Sequence, residues 1–222
     1  MKYLKLFVVL ITLLYTLPAV AQTLPPPELK SGWSRIHIEN VGTIDLPPTM
    51  EVQGGEYGKY AENMRSSLNI KAPQFVAQQK GRNASKSPSE RYSRIIFNTY
   101  IKNKGDYETL SFNINEYSKA EIDALDETLR QELSGSVQMG MSAMKLIKWY
   151  KLNLKTINGM SCINYSYVRQ LDDTPVVFVD KYMFQNNDRM HTLTISYRLT
   201  ESEYWKNDLT HALDSFRITN IR

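Results

Sequence analysis

The stretch that decides the fold is Tyr150-Lys151-Leu152-Asn153-Leu154-Lys155-Thr156-Ile157-Asn158-Gly159-Met160-Ser161-Cys162-Ile163-Asn164-Tyr165-Ser166-Tyr167. Asn-Gly accepts the positive φ that a two-residue hairpin turn demands at both central positions, and it closes antiparallel strands. A tight turn at Asn158-Gly159 sets Leu154 against Ile163, Leu152 against Tyr165 and Tyr150 against Tyr167 on one side. The reverse side pairs Lys155 with Cys162, Asn153 with Asn164 and Lys151 with Ser166. A slip of one residue would mix the two sides, so the pattern itself supports the register.

Downstream, a tight turn at Asn186-Asn187 sets Tyr182 against His191, Asp180 against Leu193, Phe178 against Ile195 and Val176 against Tyr197. Asp172-Asp173-Thr174-Pro175 between the two hairpins is turn chemistry, which predicts a four-stranded antiparallel meander with one apolar face. Thr200 with Glu203 has the spacing of a capping box. The helix after it carries Trp205, Leu209, Ala212, Leu213 and Phe216 on one stripe, the natural roof for that face. Upstream, Ser118 with Glu121 opens a second helix, whose stripe is Ile122, Leu125, Leu129 and Leu133 and whose expected end is Gly135. Ser34 to Glu39 and Thr43 to Leu46 alternate as strands about the turn Asn40 to Gly42. Phe75-Val76-Ala77 and Arg94 to Ile101 read as two more strands. The fold class is therefore α+β, a mostly antiparallel β-sheet flanked by helices, with a C-terminal four-stranded meander closed by a helix.

The chain resembles the PsbP-like superfamily, whose other branches include a nuclear-import factor that binds the small GTPase Ran. The carrying residues are the opening hairpin running into Ile44-Asp45-Leu46-Pro47, the turn Asn158-Gly159, the strands around Tyr165-Ser166-Tyr167 and Tyr182-Met183-Phe184, and the close from Leu209 to Ser215-Phe216. The similarity spans Trp33 to Ile218. It implies an α/β/α sandwich and a role in binding or assembly without catalysis. No functional residue transfers, because the family has no shared catalytic motif to match.

Met1 to Ala21 reads as a secretory signal peptide: Lys2 and Lys5 precede the apolar run Leu6 to Leu14, and Ala19-Val20-Ala21 presents the cleavage site before Gln22. The run falls short of the roughly 20 residues of a membrane span, so no transmembrane anchor is expected after processing. The expected organisation is a signal peptide at 1–21, a Pro-rich linker at 22–32 and a single α+β domain at 33–222. The linker's Pro25-Pro26-Pro27 reads as a stiff polyproline-type spacer or a tail. Without Lys2 and Lys5 the 27 Lys and Arg become 25 against 23 acidic residues, a net +2, which gives no case for nucleic-acid binding. The single Cys162 excludes an internal disulfide and reads as a small buried hydrophobe.

Three constellations carry candidate chemistry. Asp180 and His191, with Tyr165 or Tyr167 from the adjoining strand, form a polar cluster on the otherwise apolar face, suited to holding a ligand or transferring a proton. Lys80, Arg82, Lys86 and Arg91 form a basic loop that suits an anionic surface. Met139, Met141 and Met144 have the spacing of soft Cu(I) ligands, and equally of gap-filling methionines. Zinc spacings, a glycine-rich phosphate loop, a nucleophile elbow and paired catalytic carboxylates are missing, so no catalytic residue and no cofactor are expected. The expectation is an exported, periplasmic or secreted, monomeric and non-catalytic domain that binds a protein or an envelope component. The alternatives are an enzyme centred on Asp180 and His191, and a copper-binding protein.

Overall fold

The computed structural model describes residues 24–54, 74–82, 91–138 and 144–222. A small sheet holds β1 (Ser34–Ile38), β2 (Gly42–Leu46) and the short β10 (Arg217–Ile218) in the order β1-β2-β10. The large sheet is antiparallel and contains β3 (Met50–Val52), β4 (Phe75–Gln79), β5 (Ser93–Ile101), β6 (Met144–Ile157), β7 (Met160–Leu171), β8 (Val177–Asn186) and β9 (Arg189–Arg198). Its order is β3-β4-β5-β9-β8-β7-β6. Helix α1 (Lys119–Gln138) lies on one face; helix α2 (Ser202–Ser215) and the small sheet lie on the other. This is an α+β fold with its antiparallel sheet between helical layers, and β6 to β9 form the meander expected from the sequence.

The first hairpin turns where Asn-Gly dictates: Asn158 and Gly159 have φ of 55° and 80°, and Leu154 meets Ile163, Lys155 meets Cys162 and Asn153 meets Asn164. Farther out the expected pairing fails. A register shift between Tyr150 and Asn153 sets Tyr150 against Ser166 and Trp149 against Tyr167. The reason is Asp126 of α1, whose Oδ1 accepts the Leu152 N–H at 2.7 Å and the Trp149 indole N–H at 3.0 Å. A bulge strands an amide from its ladder, and the helix supplies the missing acceptor.

The second hairpin is shifted by two residues from the expected register. Asn186 pairs with Arg189, so Asn187-Asp188 form the tip, Tyr182 faces Leu193, Asp180 faces Ile195, and Phe178 faces Tyr197. Asn186 is fully buried, and its amide is held by the C-terminal segment through the Asn220 carbonyl at 2.9 Å and the Arg222 N–H at 2.8 Å. It is therefore not available for the tip. Because the slip is even, side chains keep their expected side.

The two hairpins do not share one apolar face. Ile163 pairs with Met183, Tyr165 with Lys181 and Tyr167 with Val179, which puts Tyr165 on the side opposite Asp180, Tyr182 and Phe178. Leu152, Ile163 and Tyr165 pack beneath Ile122, Leu125 and Leu129 of α1. Tyr182, Phe184, Leu193, Ile195, Ile95 and Phe97 pack with Trp205, Leu209 and Ala212 of α2, with Phe216 just past its end, and with Ile38, Ile44 and Leu46 of the small sheet. A sheet covered on both faces needs apolar residues on both.

Helix α1 begins as expected: Ser118 N–H donates to Glu121 Oε2 at 2.8 Å and Glu121 N–H donates to Ser118 Oγ at 3.3 Å. It runs past Gly135 to Gln138, since an interior glycine disfavours a helix by about 1 kcal/mol without ending it. The expected box of Thr200 and Glu203 does not form. Leu199–Glu201 is a 3-10 turn, and α2 starts after Glu201 with no side-chain cap. The Glu201 carboxylate instead accepts the Tyr92 N–H at 2.8 Å and the buried Trp205 indole N–H at 3.0 Å.

Gly42 is required by close approach, because a Cβ there would stand 1.9 Å from the Arg217 carbonyl oxygen of β10. Beside it, Arg35 grips Asp45 with two hydrogen bonds of 2.7 and 2.9 Å, and Asp45 N–H donates to Ser215 Oγ at 2.8 Å. The Pro-rich segment is not a free spacer in its first residues. Arg217 donates to the carbonyls of Leu24 and Pro25, and Arg35 donates to that of Pro27.

Candidate functional site

Phe178, Asp180 and Tyr182 alternate along β8, so all three point toward α2. The β9 register adds Ile195 and Tyr197 beside them. Across from them, Lys206, Leu209, Thr210 and Leu213 of α2 recur at intervals of three and four residues and so share one side of the helix. Between these two surfaces lies a cavity of about 220 Å³, its walls mostly apolar. Lys206 and Thr210 are exposed at its mouth.

Asp180 is half-buried at the floor, held by neutral donors. Its Oδ1 accepts from Asn164 Nδ2 at 2.7 Å and from Ser166 Oγ at 2.8 Å; its Oδ2 accepts from the Tyr182 hydroxyl at 2.5 Å. Among the described residues no ion pair includes Asp180. Burial, the Asp180 charge and the hydrogen bond to it all raise the Tyr182 pKa well above the ordinary phenol value. Burial, followed by the charge of Asp180, raises that of Tyr197. Both phenols therefore stay protonated. Cys162, wholly buried nearby on β7, has its thiol pushed up to about 12 by burial, so it is inert as a nucleophile.

The expected cluster of Asp180, His191, Tyr165 and Tyr167 is not assembled. His191 lies opposite Phe184, whereas Asp180 lies opposite Ile195, farther along the same ladder. His191 is fully buried, with Nδ1 3.0 Å from Thr99 Oγ1, Nε2 3.4 Å from Asn186 Nδ2 and its ring stacked on Phe97. Burial, then the charge of Arg189, lowers its pKa to about 4. Tyr165 and Tyr167 are on the other face, their rings stacked beside Trp149 at 5.1 and 6.2 Å. The partners that Asp180 has on β7, Asn164 and Ser166, are polar residues on its own side of the sheet. Their alternation was visible in the sequence; which side of the sheet they occupy was not.

Of the basic loop, Lys80, Arg82 and Arg91 lie within the described residues and Lys86 outside them. The two arginines stack on separate rings, Arg82 at 4.9 Å from that of Tyr92 and Arg91 at 3.8 Å from that of Tyr204. Met144 opens β6, while Met139 and Met141 lie outside the described residues. Among the described residues, no group of three or more His, Cys, Asp or Glu side chains could hold a metal ion. The sheet face turned away from α2 carries α1 across β6 and β7.

No family model matches the chain, and no curated protein matches it. Among solved structures, it is similar to the solution structure of cyanobacterial PsbP (CyanoP) from Synechocystis sp. PCC 6803, at 9% sequence identity and a TM-score of 0.47 over 85% of this chain and 94% of that one.

Proposed function

We propose that this protein is an exported, monomeric, non-catalytic binding domain of the bacterial envelope, periplasmic or secreted, and that it takes its ligand in the cavity between α2 and the sheet. The observation that carries this reading is Asp180: a half-buried carboxylate on an apolar floor, oriented by three neutral donors and, among the described residues, in no ion pair. Oriented polar groups in an apolar cavity are the usual architecture of a recognition site. The non-catalytic part is supported by the state of the neighbouring groups: the Cys162 thiol and the two phenols are held protonated, and His191 is walled off. A proton relay between Asp180 and His191 has no geometry to run through. Export is supported by the leader at 1–21, and protein recovered from the producing cell should begin at Gln22.

The test of the cavity is a thermal-shift screen of small metabolites on the wild type and on Thr210→Trp, which fills the mouth from an exposed position. Compounds that raise the wild-type Tm should leave that of the variant unmoved. A screen in which every stabilising compound acts equally on both proteins would remove the cavity as the site.

A further inference from the structure

We propose that the cavity takes a small zwitterion of the α-amino-acid type with an apolar side chain. Its ammonium would sit on Asp180, its carboxylate on Lys206, and its side chain against Phe178, Ile195 and Leu213. The inference rests on the cavity being the binding site.

The first step is an acceptor count. An ionised carboxylate offers about four lone-pair sites; Asn164 and Ser166 take two on Oδ1, and Tyr182 takes one on Oδ2. One site remains, and the negative charge remains uncompensated. Three neutral hydrogen bonds orient a carboxylate without cancelling it, and a half-buried charge gains most from a partner of opposite sign. A cationic N–H donor satisfies both vacancies together.

The walls then limit what can bring that donor. A hard cation such as Ca²⁺ requires six to eight oxygen ligands, whereas the lining offers one carboxylate among Phe178, Ile195, Leu209 and Leu213. The positive charge must arrive on an apolar body. Phe178 and Tyr197, with ring centroids 5.3 Å apart, provide aromatic surface for such a body.

The mouth sets the last requirement. Lys206 is exposed, and among the described residues it makes no ion pair, with Asp180 or with any other acid. A ligand carrying only positive charge would pass an ammonium on entry. One that also carries a carboxylate meets a counter-charge for each of its two charged groups. In an α-amino acid the ammonium and the carboxylate share one carbon, so an acid and a long, flexible ammonium lining the same cavity can hold both while the side chain lies on the apolar walls.

The experiment uses four probes with one body: L-phenylalanine, 2-phenylethylamine, 3-phenylpropionate and 2-phenylethanol, titrated calorimetrically into the wild type, Asp180→Asn and Lys206→Ala. Phenylalanine should bind tightest, the amine next and the acid weakest. Asp180→Asn should weaken phenylalanine by about tenfold or more, the range of a hydrogen bond to a charged group. Lys206→Ala should bring phenylalanine down to the affinity of the amine and leave the amine itself no weaker. That variant changes an exposed side chain, so it reports even if Asp180→Asn folds poorly. Tighter binding of the acid than the amine, or an unchanged ranking in Lys206→Ala, overturns the proposal. If the alcohol binds as well as phenylalanine, the charge assignment fails while the cavity survives as a binding site. If none of the four binds, the zwitterion fails, and the cavity fails with it only if Thr210→Trp is also without effect in the wider screen.

Discussion

Each face of the large sheet has a half-buried aspartate at the point where a helix meets it. Under α1, Asp126 accepts a backbone amide of β6 stranded by a bulge and the indole N–H of Trp149. Under α2, Asp180 accepts three side-chain donors and looks into a cavity. Asp126 comes from the helix and closes a gap in the sheet; Asp180 comes from the sheet and lines a cavity beside the helix. The same functional group thus seals one face and opens the other. What distinguishes them is whether the donors are obligate, as a buried backbone amide is, or themselves placed to hold the carboxylate.

The α2 face is also the larger core. Truncating Trp205, fully buried between α2 and the sheet, should cost about 4 kcal/mol, while Leu129→Ala on the half-buried stripe of α1 should cost about 2 kcal/mol. Urea denaturation of the two variants measures this directly, and equal losses would abolish the asymmetry. Asp126→Ala should come next at about 3 kcal/mol, because it orphans two N–H groups. It should shift the Trp149 fluorescence while leaving any ligand affinity intact; a loss of affinity would show that the two faces are not independent.

His191 makes the α2 face the acid-sensitive one. Its pKa falls from 6.5 to about 4 in the folded protein because burial disfavours the charged ring. The unfolded chain then takes up the proton first, so stability is full above about pH 7 and declines as pH falls from 6.5 toward 4, by on the order of 3 kcal/mol. His191→Gln should flatten that part of the Tm-against-pH curve, and a variant with the wild-type slope would assign the sensitivity elsewhere. Asp180→Asn is the smallest structural perturbation, about 1 kcal/mol, since an amide keeps an acceptor for Asn164 and Ser166. A large loss of stability here would make Asp180 a structural residue like Asp126, and the contrast between the faces would disappear.

The parts of the fold legible in sequence are those decided within a few residues. Asn158-Gly159 turns as its side chains require, Ser118 and Glu121 cap α1, and Trp205, Leu209 and Ala212 line the buried stripe of α2, with Phe216 buried just past the helix end. Where the reading went astray, a distant group had a stronger claim. Asn186 was taken from its turn by the C-terminal segment, the box of Thr200 and Glu203 gave way to a 3-10 turn whose Glu201 holds Tyr92 and Trp205, and Leu152 was pulled out of register by Asp126. The candidate cluster was legible only in part: Asp180 lines the cavity, but Tyr165 and Tyr167 belong to the opposite face, and His191 lies too far along β9.

The sequence by itself determined which residues stand together on a strand or helix, because period two and period 3.6 are properties of the local backbone. It did not determine which way each set points. Alternation sorts side chains into two groups without saying which group meets α1 and which meets α2, and the linking turn at Asp172 to Pro175 carries no information on that choice. Only packing of both helices against one sheet resolved it, and with it the cavity over Asp180.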